Sequence, residues 1–513
     1  MSPREPILRL GTNCSVIAAV DEAAALVDAD IYYRAAHRAI AGAKRYVMVS
    51  GWQFDSSVEM LRGDAAASTE APSQLLQLLT WACERNPELE VYVLAWDFSP
   101  VFLLEREWFQ KRVFDSAGSK RIHFQWDSFF AAHASHHQKL LVVDGTIAFS
   151  GGMDICSSRW DTRAHEPENS LRHNGDGKPC KPYHDVQAFV RGPVVAPLQE
   201  LFYDRWIQNG GDMKRLAPVD HPPPTLSELC DGALPLRLSS AAVSQTRVAP
   251  EGDKTPALLH IRKLYEDAIE RAEALVYIEQ QYFTSRAVLR SFMRRLTNGA
   301  LPKLQIVVIL PHGGDTPKER FALGEAQAFV LNGIRCAAEE HGHAFGAFTT
   351  GTRLPTGELK ATFMHSKVLL VDDRFVSIGS ANMTNRSLGL DTELNLSWEH
   401  EHAVDDITEL RASLLAEHCG SSDSRRYLDI DGLVERLDAD TFSTRLHRYI
   451  IDSADDCDPL LSLATDPVSP AGSGALDERI DEAWESFDST WFKSGIERWL
   501  ARHDKGDIPD DRR

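Results

Sequence analysis

HHQKLLVVDGTIAFSGGMD, residues 136–154, and MHSKVLLVDDRFVSIGSAN, residues 364–382, are the two stretches that decide the fold of this 513-residue chain. Each contains the spacing H-x-K-x4-D and continues, after six further residues, into a glycine-containing pair, Gly151-Gly152 or Gly379-Ser380, which we call the glycine step. A single copy of this spacing is a weak signal that chance can produce, but two copies that continue in the same way indicate an internal duplication. The sequence therefore predicts two related halves, one around His137 and one around His365.

The segments that precede the two stretches also match in order and type. Residues 32–45 predict a helix that runs into the strand YVMVSGWQF, and residues 257–274 predict a helix that runs into LVYIEQQYF. Each half then has a second apolar strand, VYVLAWDF from Val91 and LQIVVILP from Leu304. Continuous apolar strands that alternate with helices are typical of an α/β sheet covered on both faces.

These patterns predict an α/β fold of two similar α/β-sandwich halves, packed around one shared active site. We place the first half at 1–217, a linker rich in proline and polar residues at 218–256, and the second half at 257–420. Residues 421–513 are expected to form a helical C-terminal tail, including LDERIDEAWESFDSTWFKSGIERWL. The strands that carry the two motif histidines are expected to lie side by side.

Composition limits the classes of function. The net charge of −20 argues against general nucleic-acid binding and against a broad electrostatic attraction to anionic membranes. None of the eight cysteines falls in a C-x-x-C pair, so the sequence indicates neither a zinc site nor a redox pair. Without a signal peptide or an apolar span, we expect a cytoplasmic monomer with transient membrane contact. The alternative is export by a route that does not require a classical signal peptide.

The motif residues point to phosphate chemistry. On an extended strand, residues two apart share one face, so His137 and Lys139 form a cationic pair, as do His365 and Lys367. Buried cations need an anion, which a phosphate group supplies. The alternative interpretation treats LLVVD and VLLVD simply as strands that end in turn aspartates. His136 is expected to lie on the opposite face.

The paired motif resembles the duplicated signature of the phospholipase D superfamily, and the resemblance extends from about Ala24 to Gly420. Several stretches resemble its lipid-cleaving branch: GGMDICSSRWDT, YHDVQAFVRGPVV, FYDRW, VYIEQQYF and IGSANMTNRSLGLDTELNL. Gly152 and Asp154 stand where nuclease members usually carry Ser and Asn. Gln280 stands where the lipid-cleaving branch usually has Asn.

The resemblance implies a two-step mechanism in which His137 attacks phosphorus and His365 is the general acid and base. It implies phosphate contacts from Lys139 and Lys367, aided by Ser380 and Asn382. Asp185 is the expected carboxylate partner of His137, and Glu393 that of His365. The remaining motif residues are expected to be structural: Asp144, Asp372, Gly151, Gly152, Asp154 and Gly379. No metal ion or cofactor is expected.

Trp160 and Tyr183 are candidates for a headgroup pocket, since aromatic faces suit choline-like cations, although packing is the alternative. His133, His165 and His184 receive no role from the sequence.

The predicted reaction is hydrolysis of a membrane glycerophospholipid to phosphatidate and a headgroup alcohol, with water or a primary alcohol as acceptor. The alternatives are a phosphatidyltransferase of the cardiolipin-synthase type, a nuclease, and a non-catalytic lipid-binding scaffold. The nuclease is disfavoured by the net charge. The scaffold is disfavoured because both histidines and both lysines are present.

Overall fold

A computed structural model describes residues 5–97, 110–116, 119–129, 131, 134–214, 216–219, 222–250, 252–313, 317–442 and 444–451. The elements up to the middle of the chain are β1 Val16–Ala19, β2 Glu22–Val27, α1 Asp28–Gly42, β3 Tyr46–Gly51, α2 Asp64–Ala67, α3 Leu75–Arg85, β4 Glu90–Trp96, α4 Gln110–Asp115, β5 Ile122–Asp127, β6 Leu140–Val143, β7 Ile147–Gly151, β8 Tyr183–His184, β9 Val186–Arg191, α5 Val195–Gln208, α6 Leu226–Leu229, β10 Leu234–Pro235 and β11 Ser240–Arg247.

The remaining elements repeat the alternation of strands and helices. They are β12 Leu258–Leu259, α7 His260–Glu270, β13 Leu275–Glu279, α8 Arg286–Leu296, β14 Gln305–Ile309, α9 Pro317–His341, β15 Ala344–Arg353, β16 Leu359–Ala361, β17 Phe363–Met364, β18 Val368–Val371, β19 Phe375–Gly379, α10 Asn385–Gly389, β20 Glu393–Glu399, α11 Asp405–Cys419, α12 Leu433–Asp440 and β21 Leu446–Arg448. The predicted α/β class is confirmed.

Two large sheets contain the same strand order, which is the duplication seen in three dimensions. The first sheet has the order β10-β2-β9-β7-β6-β3-β4-β5. The second has β1-β11-β20-β19-β18-β13-β14-β15-β16, with β12 beside β11 and β21 beside β15. Three neighbouring strands are parallel in each sheet: β3, β4 and β5 in the first, and β13, β14 and β15 in the second. On their other sides, β3 and β13 pair with the antiparallel strands β6 and β18.

The two halves exchange short edge strands. β1, near the start of the first half, pairs with β11 of the second sheet, and β10, in the region between the halves, pairs with β2 of the first. The region predicted as a linker, 218–256, thus contains α6, β10 and β11. The prediction of a plain linker is wrong: β11, whose sequence SAAVSQTR is mostly polar, was concealed between proline-rich stretches.

Each sheet is buried on both faces, and side chains alternate between two cores as strand geometry requires. In β18, Val368 and Leu370 face the core between the sheets, whereas Leu369 and Val371 face the core beneath the second half's helices. The sheets meet where β7 and β9 lie near β19 and β20. The motif histidines lie just before β6 and β18, which belong to different sheets, so the prediction that two histidine-bearing strands lie side by side is wrong.

The end of the described chain departs from the predicted helical tail. Residues 433–440 form α12, but residues 446–448 form β21 at the edge of the second sheet. The tryptophan-bearing helix predicted at 476–500 lies outside the described residues. Within the part of the chain that the structure describes, no helix is long and apolar enough to cross a membrane.

Candidate active site

The motif aspartates hold the loop between the first helix and the first central strand of each half. Asp144 accepts hydrogen bonds from the backbone N–H groups of Lys44, Arg45 and Tyr46 at 2.8–3.0 Å. Asp372 accepts the equivalent bonds from residues 273–275 at 2.7–2.8 Å. Both aspartates have positive φ, 55° and 54°, at a turn where this residue type is tolerated. These contacts fix the start of each motif-bearing hairpin.

Short stretches of backbone pairing join the halves directly at the motif histidines. The N–H of His137 donates to the carbonyl oxygen of Thr392, and the N–H of His365 donates to that of His184, each at 2.9 Å. Thr392 immediately precedes Glu393, and His184 immediately precedes Asp185. Each motif histidine is therefore placed beside the acidic residue of the opposite half.

The carboxylate partners are consequently crossed. Nδ1 of His137 lies 3.0 Å from Oε2 of Glu393, and Nδ1 of His365 lies 2.6 Å from Oδ2 of Asp185. The expected pairing of Asp185 with His137 and of Glu393 with His365 is wrong. Order along the chain suggested partners within one half, whereas the backbone pairing between halves decides the geometry. In both cases Nε2 is the ring nitrogen left to act on a substrate.

The two lysines lie in the same buried region, but each has a different protein partner. Nζ of Lys139 lies 3.1 Å from Oδ2 of Asp154, whose other oxygen accepts from the N–H of Trp52 at 2.8 Å. Nζ of Lys367 donates to Oε1 of Gln281 at 3.0 Å and to the carbonyl oxygen of His365. The ion pair of Asp154 and the contact of Gln281 were not predicted from the sequence.

Burial and the two lysines shape the protonation of this site. Burial, followed by the charges of Lys139 and Lys367, holds the pKa of His137 well below its usual value. Burial and Lys367 do the same to the pKa of His365. Burial also lowers the pKa of Lys367 to about 7. Two neutral imidazoles therefore lie beside cations that gain stability when an anion binds.

The carboxylates respond in the opposite direction, as expected of buried acids. Burial raises the pKa of Asp185 to about 6 and that of Glu393 to about 7. Each carboxyl group therefore gains or loses its own proton near neutral pH, beside an imidazole that stays neutral. Such acid–base pairs suit proton transfer at the reacting centre.

The glycine step makes room for these acids. A Cβ on Gly152 would collide with the carboxylate of Asp185, so no larger residue fits while Asp185 contacts His365. Ser380 is the corresponding residue of the second half, and its hydroxyl donates to Oε2 of Glu393. Ser380 is fully buried, so its expected phosphate contact is corrected: the hydroxyl is already used to hold Glu393.

The other glycines of the step face amide side chains of the neighbouring strand. A Cβ on Gly151 would collide with Gln187, and one on Gly379 would collide with Asn395. Asn382 is buried, and its Oδ1 has no hydrogen-bond partner among the described residues. An amide oxygen only accepts hydrogen bonds, so the predicted phosphate contact of Asn382 would come from its N–H group and stays a prediction.

The aromatic candidates separate into one beside the site and one in the core. The ring of Tyr183 lies 5.4 Å from that of His365, and the guanidinium of Arg159 lies 5.2 Å from the centre of the Tyr183 ring. Trp160 is 2% exposed and packs in the first half's core, so its predicted role in a headgroup pocket is corrected to packing. Arg159 lies within GGMDICSSRWDT, but sequence reasoning did not single it out.

The side chains of His136, His165 and His184 contact partners other than the motif imidazoles. Nε2 of His136 contacts the carbonyl oxygen of Phe129 and Oδ1 of Asp127, at 3.1 and 2.9 Å. His133 lies outside the described residues. His165 and His184 are fully buried in a polar cluster behind the site, which nothing in the sequence indicated.

Comparison with known proteins gives a consistent result. Residues 39–233 match a family model described as "Phospholipase D", and residues 265–414 match one described as "Cardiolipin synthase, PLD-like domain". "Phospholipase D A" of Dictyostelium discoideum is 23% identical over 74% of this chain and 33% of its own length. "Phospholipase D alpha 2" of Oryza sativa subsp. japonica is 23% identical over 74% of this chain and 62% of its own length. This chain therefore spans less than two thirds of either relative.

A solved structure shares the fold. The crystal structure of phosphatidylserine synthase from Haemophilus influenzae Rd KW20 superposes with a TM-score of 0.50 at 14% identity. The match covers 84% of this chain and 96% of that protein. At this identity the likeness concerns the fold alone.

Proposed function

The chain belongs to the phospholipase D superfamily, and from that premise we propose that it hydrolyses glycerophospholipids to phosphatidate and a headgroup alcohol. One observation carries the proposal: His137 and His365 each have Nδ1 bound to a buried carboxylate of the opposite half, beside Lys139 and Lys367. This arrangement leaves two Nε2 atoms and two cations for one phosphodiester.

The contacts at Nδ1 support His137 as the nucleophile. Nδ1 of His137 lies 3.0 Å from the carbonyl oxygen of Ser380 as well as from Glu393. A carbonyl oxygen only accepts hydrogen bonds, so Nδ1 must carry the proton and Nε2 must present a lone pair. Nε2 is then ready to attack phosphorus without first losing a proton.

His365 differs, because Asp185 is its Nδ1 partner among the described residues. A carboxyl group is a donor when protonated and an acceptor when ionised. With Asp185 protonated, Nδ1 accepts and Nε2 carries a proton that can be given to the departing alcohol. The His365–Asp185 pair therefore suits the general acid.

The proposed reaction has two steps. In the first, Nε2 of His137 bonds to phosphorus, the bond from phosphorus to the headgroup oxygen breaks, and that oxygen takes the proton from Nε2 of His365. In the second, Nε2 of His365 removes a proton from water, whose oxygen bonds to phosphorus while the bond to His137 breaks. A primary alcohol in place of water gives a transphosphatidylation product.

Lys139, Lys367 and Asn382 are proposed to bind the non-bridging phosphate oxygens. Preorganised cations are worth most where water is excluded, and both lysines are buried. Asp154 is the anion that holds Lys139 in this position, at 3.1 Å from its Nζ. Tyr183 is proposed to line the way to the headgroup beside His365.

A lipid panel tests the proposal. Purified protein is incubated with vesicles of single phospholipids, with and without 1-butanol, and phosphatidate, phosphatidylbutanol and free headgroup are measured. We expect phosphatidate without the alcohol and phosphatidylbutanol with it, and neither product from His137→Ala or His365→Ala. Folded wild-type protein that turns over no phospholipid would overturn the proposal and favour the non-catalytic scaffold.

The second candidate is a phosphatidyltransferase that uses the same site with a lipid or polyol acceptor. The observation that favours it is the match of residues 265–414 to the model described as "Cardiolipin synthase, PLD-like domain". Adding glycerol or phosphatidylglycerol to the same vesicles distinguishes the two. Transfer that exceeds hydrolysis at millimolar acceptor would favour this candidate.

We propose that the protein acts in the cytoplasm through transient contact with membranes. Cell fractionation tests this location. Intact protein found mainly in the culture medium, without cell lysis, would favour signal-independent export instead.

A further inference from the structure

Behind the motif histidines, the two halves meet at a cluster of four buried side chains: Asp28, His165, His184 and Glu417. The first three belong to the first half and Glu417 lies on α11 of the second. Their exposed fractions are between 0% and 5%. Ionisable groups without access to water must be neutralised by one another or by a bound ion.

The ligand atoms surround one point. Nδ1 of His184 lies 2.7 Å from Oε1 of Glu417 and 3.1 Å from Oδ1 of Asp28. Nε2 of His165 lies 3.0 Å from the same Glu417 oxygen and 3.4 Å from Oδ2 of Asp28. One atom from each of the four residues falls within 4.8 Å of all the others. Four ligands around a tetrahedral ion at about 2.0 Å would be about 3.3 Å apart.

The orientation of two of these groups favours ligation over hydrogen bonding. Nδ1 of His184 is close to two carboxylate oxygens, yet it has no hydrogen-bond partner with acceptable geometry among the described residues. Oδ2 of Asp28 likewise has none. Both residues are 0% exposed. A buried ring nitrogen that is close to two carboxylate oxygens, and makes a well-directed hydrogen bond to neither, is placed to bind an ion held by the same oxygens.

The outer nitrogens of both histidines are held by further carboxylates. Nδ1 of His165 lies 2.9 Å from Asp161, and Nε2 of His184 lies 3.1 Å from Glu279. Histidines that bind metals almost always donate their other ring N–H to such an acceptor, which fixes the tautomer. Arg163 binds Oε2 of Glu417, leaving Oε1 to face the cluster.

We propose that Asp28, His165, His184 and Glu417 bind one divalent transition-metal ion, with Zn²⁺ the best match. Two imidazole nitrogens exclude the all-oxygen preference of Ca²⁺ and Mg²⁺ and suit zinc. Two carboxylates neutralise a divalent charge when both imidazoles are neutral. The four ligands come from distant parts of the chain, so no spacing in the sequence announces the site.

The site would have a structural role next to the catalytic residues. The N–H of Asp185 donates to Oδ1 of Asp28 at 3.2 Å, and His184 adjoins Asp185 in the chain. An ion bound here would fix the backbone that presents Asp185 to His365. This role is independent of which reaction the active site catalyses.

Without an ion, the same cluster must bind protons instead. Burial opposes protonation of both histidines, but the surrounding carboxylates outweigh it, raising the pKa of His165 to about 9 and that of His184 well above its usual value. The competing description is therefore two imidazolium rings between the carboxylates. The two descriptions differ in metal content and in the protonation of His165 and His184.

Metal analysis of the full chain distinguishes them. Protein is unfolded with chelator, refolded with or without Zn²⁺, desalted and analysed by mass spectrometry for bound metal. We expect about one zinc per chain, an X-ray absorption spectrum of four nitrogen and oxygen ligands, and a higher Tm than for protein refolded without metal. Glu417→Gln and His165→Gln should lose the zinc, whereas His37→Gln, a buried histidine that contacts the carbonyl oxygen of Pro72, should keep it.

Cobalt keeps the test decisive where a variant does not fold. Wild-type protein refolded with Co²⁺ should show the visible absorption of a four-coordinate site, without any substitution. Folded wild-type protein that retains less than a tenth of an equivalent of zinc and of cobalt would overturn the proposal. So would nitrogen NMR that shows both His165 and His184 as imidazolium after Zn²⁺ loading. Neither result depends on phospholipid turnover, so it stands apart from the proposed function.

Discussion

The crossed carboxylates predict that Asp185→Asn and Glu393→Gln impair different steps. Asp185 contacts His365, the proposed general acid, and Glu393 contacts His137, the proposed nucleophile. Each substitution replaces a carboxyl group by an amide of nearly the same shape, which can neither give its proton to the imidazole nor carry a negative charge. The partner assigned by order along the chain would give the opposite result for each variant.

The contacts also set the magnitudes. A charge-assisted hydrogen bond contributes about 1.5–3 kcal/mol, or roughly 10- to 150-fold in rate. His137 retains the carbonyl oxygen of Ser380 when Glu393 is changed, so we expect the lower end, about 10-fold. Among the described residues His365 has Asp185 at this nitrogen, so we expect about 100-fold for Asp185→Asn with a choline lipid.

A phosphatidyl ester of p-nitrophenol separates the steps, because this leaving group needs no proton. In stopped flow, Asp185→Asn should release the first equivalent of nitrophenol within about threefold of the wild-type rate and then turn over slowly. Glu393→Gln should slow the first release itself by about 10-fold.

The matched control is Glu90→Gln, which alters a partly exposed carboxylate 2.7 Å from His123, away from the site. It should leave both phases unchanged. Equal slowing of the first release in the two site variants, or slowing in Asp185→Asn alone, would refute the crossed assignment.

Three further predictions concern pH, stability and metal ions. Because burial lowers the pKa of Lys367 to about 7, its charge is present below that pH and lost above it, so kcat/KM should fall above pH 7 while Lys367→Arg loses this dependence; a pH profile unchanged by the substitution would contradict it. Asp372→Ala should lower the free energy of unfolding by about 2–4 kcal/mol in urea titrations, because three backbone N–H groups lose their acceptor, and Asp115→Ala, which removes an exposed ion pair with Lys111, should leave it nearly unchanged. Brief exposure of folded protein to EDTA should leave hydrolysis of a soluble diester intact, whereas complete loss restored by a divalent ion would show that the chemical step needs a metal.

The sequence predicted the fold well where a pattern is local and repeated. Two copies of H-x-K-x4-D, each after a helix and two apolar strands, predicted two α/β halves, and the sheets show the same strand order. The exchange of β1 and β10 was not predictable, because strands of four and two residues carry little pattern. β11 was hidden between proline-rich segments that resemble a linker.

The sequence predicted which residues lie in the site, but not which of them contact each other. Asp185 and Glu393 were selected correctly as neighbours of the motif histidines, and their partners were exchanged. Partner choice depends on backbone pairing of Thr392 with His137 and of His184 with His365, which joins distant parts of the chain. The metal-ligand cluster has the same origin, since its members share no spacing along the sequence.

Covalent trapping tests the central claim most directly. Wild-type protein is mixed with phospholipid labelled at phosphorus, quenched within milliseconds under alkaline conditions that preserve phosphohistidine, and mapped by peptide mass spectrometry. The account predicts label on His137, more of it in His365→Ala with the nitrophenyl ester, and none in His137→Ala. Label on His365 in the wild-type protein, or turnover without any labelled histidine, would contradict it.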